Sequence, residues 1–146
     1  MIEAIAFDAY GTLFDVYSVG ALAEELFPGN GKAISELWRD KQIEYTRLRS
    51  MSSVYKPFDG VTEDALIYSC RKLKLELSEE AKNSLMNQYN LLPAFHENID
   101  VLRNLKSMGI KLAILRSAKV RSCDVLSIPP SLTVYRYCQQ WHPPYA

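Results

Sequence analysis

Asp8 is the one charged residue in the stretch Ala4-Ile5-Ala6-Phe7-Asp8-Ala9-Tyr10-Gly11-Thr12-Leu13-Phe14, and Gly11 and Thr12 follow it closely. A carboxylate at the carboxyl end of a buried parallel strand projects into the crevice where α/β folds bind ligands. Gly11 permits a tight turn, and the Thr12 hydroxyl can hold the loop or the carboxylate in place. A carboxylate fixed in this way can act as a nucleophile and pass through a covalent ester. The same residues also suit a plain strand-ending turn, and the spacing alone leaves both readings open. Arg39 is the second candidate. On a helical reading it lies off the apolar stripe and shares a side with Gln42 and Thr46, where a guanidinium can meet a carboxylate or simply stand in water. His96 follows a proline-containing loop without a base nearby in sequence, which suits a surface role. Cys70 lies on a helical stripe and suits packing.

The elements that must position these residues read as follows. Ile2 to Phe7 is a short apolar run, expected as a strand buried on both faces. Ser18 to Phe27 carries apolar residues at Val19, Leu22, Ala23 and Leu26 and stops at Pro28-Gly29. Asn30 opens a long helix to about Arg49, with a stripe of Ile34, Leu37, Trp38, Tyr45 and Leu48. Lys56 to Gly60 reads as a loop, and Thr62-Glu63-Asp64 as the capped start of a helix burying Leu66, Cys70 and Leu73. Ser78-Glu79-Glu80 starts another helix, running to about Leu91. Asn98 to Met108 forms a further helix closed by Gly109, and Ile110 to Leu115 is again strand-like. The order, strand, four helices, helix, strand, predicts an α/β core interrupted by a helical insert.

The chain has 146 residues, enough for one domain or a small domain with an insertion. Seventeen basic residues balance seventeen acidic ones, which argues against nucleic acid or a membrane surface as partner. No apolar stretch approaches the roughly 18 residues of a membrane-spanning helix, and Met1-Ile2-Glu3 does not resemble a secretory signal. Three widely spaced cysteines without a C-x-x-C read as reduced thiols, and two histidines argue against a multi-histidine metal site. A cytoplasmic protein without a multi-histidine metal site is the expectation.

The longer string "FDAYGTLFDV" resembles the first motif of the haloacid dehalogenase superfamily, and most closely that of the L-2-haloacid dehalogenases. The stretches "LWRDKQIEYTRLRSM", "TEDALIYSCRKL" and "LKSMGIKLAIL" resemble the corresponding family segments, so the likeness covers residues 1 to about 115. It implies a Rossmann-like core with a helical cap inserted after the first strand, and a hydrolase acting on carbon–halide bonds. The substrate would be a small 2-halo carboxylate, no cofactor would be required, and a homodimer would be possible. Asp8 would be the nucleophile. Ala9, Tyr10, Arg39 and Ser117 would contact substrate, with Thr12 and Phe58 supporting and Asp15 part of the motif loop. Tyr10 stands where the family's phosphatases carry a second aspartate that protonates an alkoxide. Halide needs no such acid, so Tyr10 favours carbon–halogen chemistry over a phosphatase.

The likeness fails at the end of the second strand. The family's Ser-Asn-Gly is replaced by Arg116-Ser117-Ala118, and Lys119 and Asp124 are the one lysine and the one carboxylate beyond it. Pro129-Pro130 and Pro143-Pro144 interrupt the tail, and Ser131 to Cys138 has room for one strand at best. The expected organisation is therefore a truncated Rossmann-like core at 1–14 and 92–116, a cap at 15–91 and an atypical tail at 117–146. A catalytically inactive remnant or a cap-type interaction module is the alternative to an enzyme.

Overall fold

The computed structural model describes residues 2–116 and 135–138. Strand β1 (Ala4–Asp8) is followed by five helices, α1 (Val19–Leu26), α2 (Gly31–Met51), α3 (Phe58–Lys72), α4 (Glu79–Asn90) and α5 (His96–Ser107). Strands β2 (Lys111–Arg116) and β3 (Tyr135–Cys138) complete the order. The fold is α/β, with the element order read from the sequence as far as β2. Two units can be separated. One holds the described residues up to Asp15 and those from Leu91 onward, and the other is Val16–Asn90.

The first unit is built on a parallel sheet of order β1-β2-β3. Among the described residues three strands stand where the sequence suggested two with room for a third. The run Tyr135-Arg136-Tyr137-Cys138 has the composition of a strand and pairs in register with Ala113–Arg116. In the ladder Ile5 lies opposite Leu112 and Phe7 opposite Ile114. Leu112 and Ile114 are buried, and helix α5 packs on β2. Along β1 itself, however, exposed residues alternate with half-buried ones. The expectation of a strand buried on both faces is thus corrected. Ile5 and Phe7 share the side of Leu112 and Ile114, while Ala4, Ala6 and Asp8 point to the other side and are exposed. Helix α5 ends at Ser107 with Met108 as its C-cap, and Gly109, at φ +78°, takes the left-handed position that stops it.

The second unit is helical. Ile34 and Trp38 of α2, Val61, Ala65, Leu66 and Cys70 of α3, and Leu85 of α4 are all buried. The far end of the expected α2 stripe is not, since Leu48 is 51% exposed. Helices α1 and α2 meet at two glycines. A Cβ placed on Gly31 would lie 2.5 Å from the Gly20 carbonyl oxygen, so only hydrogen fits there. Asn30 does not cap α2 with its side chain. The two Glu24 oxygens take that role, accepting the N–H groups of Gly29 at 2.6 Å and Gly31 at 2.7 Å. These bonds, Gly29's first, hold the Glu24 carboxyl below its ordinary range.

Helix α3 begins at Phe58, four residues before the expected start. Pro57, extended at φ −54° and ψ 145°, leads into it, and Asp59 supplies the acidic first turn. Thr62 is therefore an interior residue, 2% exposed, and its hydroxyl donates back to the Phe58 carbonyl at 2.8 Å. At α4 the expected cap is present, with Ala81 N–H donating to Ser78 Oγ at 3.1 Å.

Candidate active site

In the first unit Asp8 is the last residue of β1, its backbone in register with Leu115 and its side chain exposed. The loop after it is closely bonded. Leu13 and Phe14 N–H both donate to the Ala9 carbonyl at 3.0 Å, and Gly11 N–H donates to the Phe14 carbonyl at 2.9 Å. Gly11 sits at φ +84°, a left-handed position that a side chain would strain. Ala9 is fully buried and Tyr10 half-buried. The Thr12 hydroxyl lies 3.4 Å from Asp8 Oδ2, too long for a strong hydrogen bond.

A residue not anticipated from the sequence pins this loop from outside. Asn98, in the first turn of α5, donates its Nδ2 to the Thr12 carbonyl at 2.7 Å. Phe95 N–H donates to the Leu13 carbonyl at 3.0 Å and Asp15 N–H to the Pro93 carbonyl at 2.9 Å. The peptide after Asp8 is therefore set by chain some eighty residues away. No local pattern announces Asn98, because its partner is a backbone carbonyl and its own neighbours are those of any helix start. His96, expected at the surface, is exposed at the start of the same helix.

The second unit holds Arg39 and Phe58. Arg39 is half-buried on α2, and its Nη1 donates to Gln42 Oε1 at 2.8 Å. The side of α2 that carries Arg39 is not simply a wet face. Gln42 is 1% exposed, receives the Tyr89 hydroxyl at 2.8 Å, and donates Nε2 to Thr62 Oγ1 at 2.7 Å. Trp38 packs its ring 5.1 Å from that of Tyr89 and donates Nε1–H to the Thr62 carbonyl at 2.8 Å. Burial pushes the Tyr89 hydroxyl above its ordinary pKa, against the opposing pull of the Arg39 charge. Phe58 is half-buried at the start of α3, and its carbonyl is the acceptor for Thr62. Ser117 lies outside the described residues. Among the described residues no group of three or more His, Cys, Asp or Glu is placed to hold a metal ion. None of their helices is long and apolar enough to cross a membrane.

Comparison with known proteins supplies the family. Residues 2–128 match the model for haloacid dehalogenase-like hydrolases. The chain belongs to that family. The (S)-2-haloacid dehalogenase of Pseudomonas sp. strain YL is 50% identical over 125 residues, covering 86% of this chain and 54% of the relative. A crystal structure of an L-2-haloacid dehalogenase superposes with a TM-score of 0.83 at 48% identity, over 92% of this chain and 63% of the other. The L-2-haloacid dehalogenase from Xanthobacter autotrophicus, with chloropropionic acid covalently bound, gives 0.81 at 36% identity, over 93% and 57%. This haloacid dehalogenase-like chain spans about half the length of the curated relatives it matches.

Proposed function

We propose that the chain attacks short L-2-halo carboxylates through Asp8. The observation that carries this reading is the exposed Asp8 carboxylate at the end of β1, ahead of a loop that Asn98 and Gly11 hold in one conformation. One Asp8 oxygen forms a bond to the halogen-bearing carbon as the carbon–halide bond breaks, with inversion, and the halide departs with the bonding pair. Water then adds to the ester carbonyl, giving a 2-hydroxy acid, one proton and the free carboxylate. By the family pattern, Ala9, Tyr10 and Arg39 are the substrate-binding residues and Thr12 and Phe58 the supporting ones, each unit contributing its own. Support comes from the (S)-2-haloacid dehalogenases similar over this span, and from the relative with chloropropionic acid covalently bound.

The first step is better provided for than the second, because Lys119 and Asp124, the one lysine and the one side-chain carboxylate after Arg116-Ser117-Ala118, do not stand in the family's pattern for directing water onto the ester. Chloride release from L-2-chloropropionate and intact-mass analysis test both parts. About one chloride per chain, with an ester mapped to Asp8 and absent in Asp8→Asn, is the expected result. Absence of any ester or chloride overturns the reading in favour of a non-enzymatic cap-type module, which the replaced motif also suits. Sustained turnover overturns the expectation that the second step is impaired. Magnesium-dependent hydrolysis of p-nitrophenyl phosphate, against the expectation from Tyr10, points to a phosphatase.

A further inference from the structure

We propose that Gln42 is a positioning residue for Arg39, its buried amide oxygen fixing the guanidinium for a substrate carboxylate. The proposal rests on the reading of Arg39 given above and adds to it the group that sets its geometry.

The orientation of the Gln42 amide follows from its neighbours. A guanidinium has donors and no acceptor, so the atom facing Arg39 Nη1 at 2.8 Å is the oxygen. The far side agrees. Thr62 spends its one hydroxyl hydrogen on the Phe58 carbonyl, so toward Gln42 it accepts, and the atom 2.7 Å away is Nε2. Tyr89 adds a second donor to the same oxygen, also at 2.8 Å. Gln42 thus ties α2 to α3 and α4 in a buried place where its amide cannot turn over without setting donor against donor. Held in this way, Arg39 loses rotamer freedom on folding and not on binding, which is how a preorganised site gains affinity. The acceptor is also neutral. A carboxylate there would hold Arg39 equally well but would cancel the charge needed by an anionic substrate.

That difference supplies the test. In the full chain carrying Asp8→Asn, so that no ester forms, L-2-chloropropionate is titrated while the Arg39 side-chain 15N signals are followed. The indole signal of Trp38, one of two tryptophans, reports whether this network is intact. Gln42→Glu should weaken binding about tenfold or more at about pH 8, as expected for an interaction of a charged group. Affinity should recover only as pH falls to about 4 and below, where the introduced carboxyl, held down by the Arg39 charge, protonates and again resembles an amide. The parent, whose titratable neighbours here are Arg39 and Tyr89 with Tyr17 beyond, should stay flat over that range. Gln42→Leu should weaken binding without recovery. Arg39→Gln should abolish it.

Gln42→Glu binding like the parent at both pH values, with Arg39→Gln inactive in binding, overturns the positioning role and leaves Arg39 standing. Arg39→Gln binding like the parent, or a parent that binds nothing, overturns both. A second measurement needs no variant. The ligand-free parent should show separately resolved Arg39 Nη signals, and a freely rotating, averaged guanidinium overturns the proposal.

Discussion

Replacing Thr62 with valine removes one hydroxyl and almost nothing else. The side chain stays β-branched, the helix propensities are similar, and the shape that fills the space between α2 and α3 is retained. The Phe58 carbonyl keeps its helical N–H partner, so it is not orphaned. The loss falls on Gln42 Nε2, which donates to Thr62 at 2.7 Å from a side chain that is 1% exposed. A buried donor left unpaired costs about 1–3 kcal/mol, and that is the expected destabilisation. In thermal terms this is a fall of about 2–8 °C for each kcal/mol, according to how much of the chain unfolds together. Urea unfolding followed by the fluorescence of Trp38, which packs in the same network, measures it. The decisive comparison is a double-mutant cycle. In a Gln42→Leu background the donor no longer exists, so Thr62→Val should cost little, and the coupling between the two positions should reach about 1 kcal/mol. A Thr62→Val chain within about 0.5 kcal/mol of the parent, or an equal loss in both backgrounds, would show that the Gln42–Thr62 bond does not carry this stability.

Two further outcomes are expected. Asn98→Ala removes the 2.7 Å bond to the Thr12 carbonyl and should cost about 0.5–1.5 kcal/mol in unfolding experiments. If Asp8 is esterified as proposed, that step should slow, read by intact mass, since the loop after Asp8 loses its outside anchor. Glu24 is held below its ordinary value of 4.5 by the Gly29 and Gly31 N–H groups. A carboxyl with a lowered folded pKa contributes stability that is complete above its unfolded value and is lost as pH falls through the folded one. The parent should therefore exceed Glu24→Gln in stability near neutrality, and acid-unfolding curves should show that advantage shrinking below about pH 4.5.

The sequence made some of this plain and concealed the rest, for physical reasons. The α2 stripe at Ile34 and Trp38, the Ser78 cap and the Gly109 stop are local signals, and each is where the pattern put it. Thr62-Glu63-Asp64 misled because a hydroxyl ahead of two carboxylates has the composition of a helix start. Pro57 and Asp59 began the helix earlier and released Thr62 into the core. Burial of β1 was overestimated because an apolar run does not say whether both faces find partners. Gln42, Tyr89 and Asn98 were invisible in their roles, since their partners lie 20, 47 and 86 residues away in the chain. The turn after Asp8 was legible because carboxylate, glycine and hydroxyl stand close together in the chain.

The chain leaves the first unit beside the place where it returns. Phe14 bridges Ala94 in antiparallel fashion, and Asp15 bonds Pro93 at 2.9 Å. The helical segment is thus a closed excursion from a tied neck. Doubling the length of such a loop costs only about 0.6 kcal/mol in closure entropy. A change of length between Val16 and Asn90 therefore adds little to the cost of bringing β1 and β2 into register. Changes confined to the excursion leave Asp8 at the same strand end.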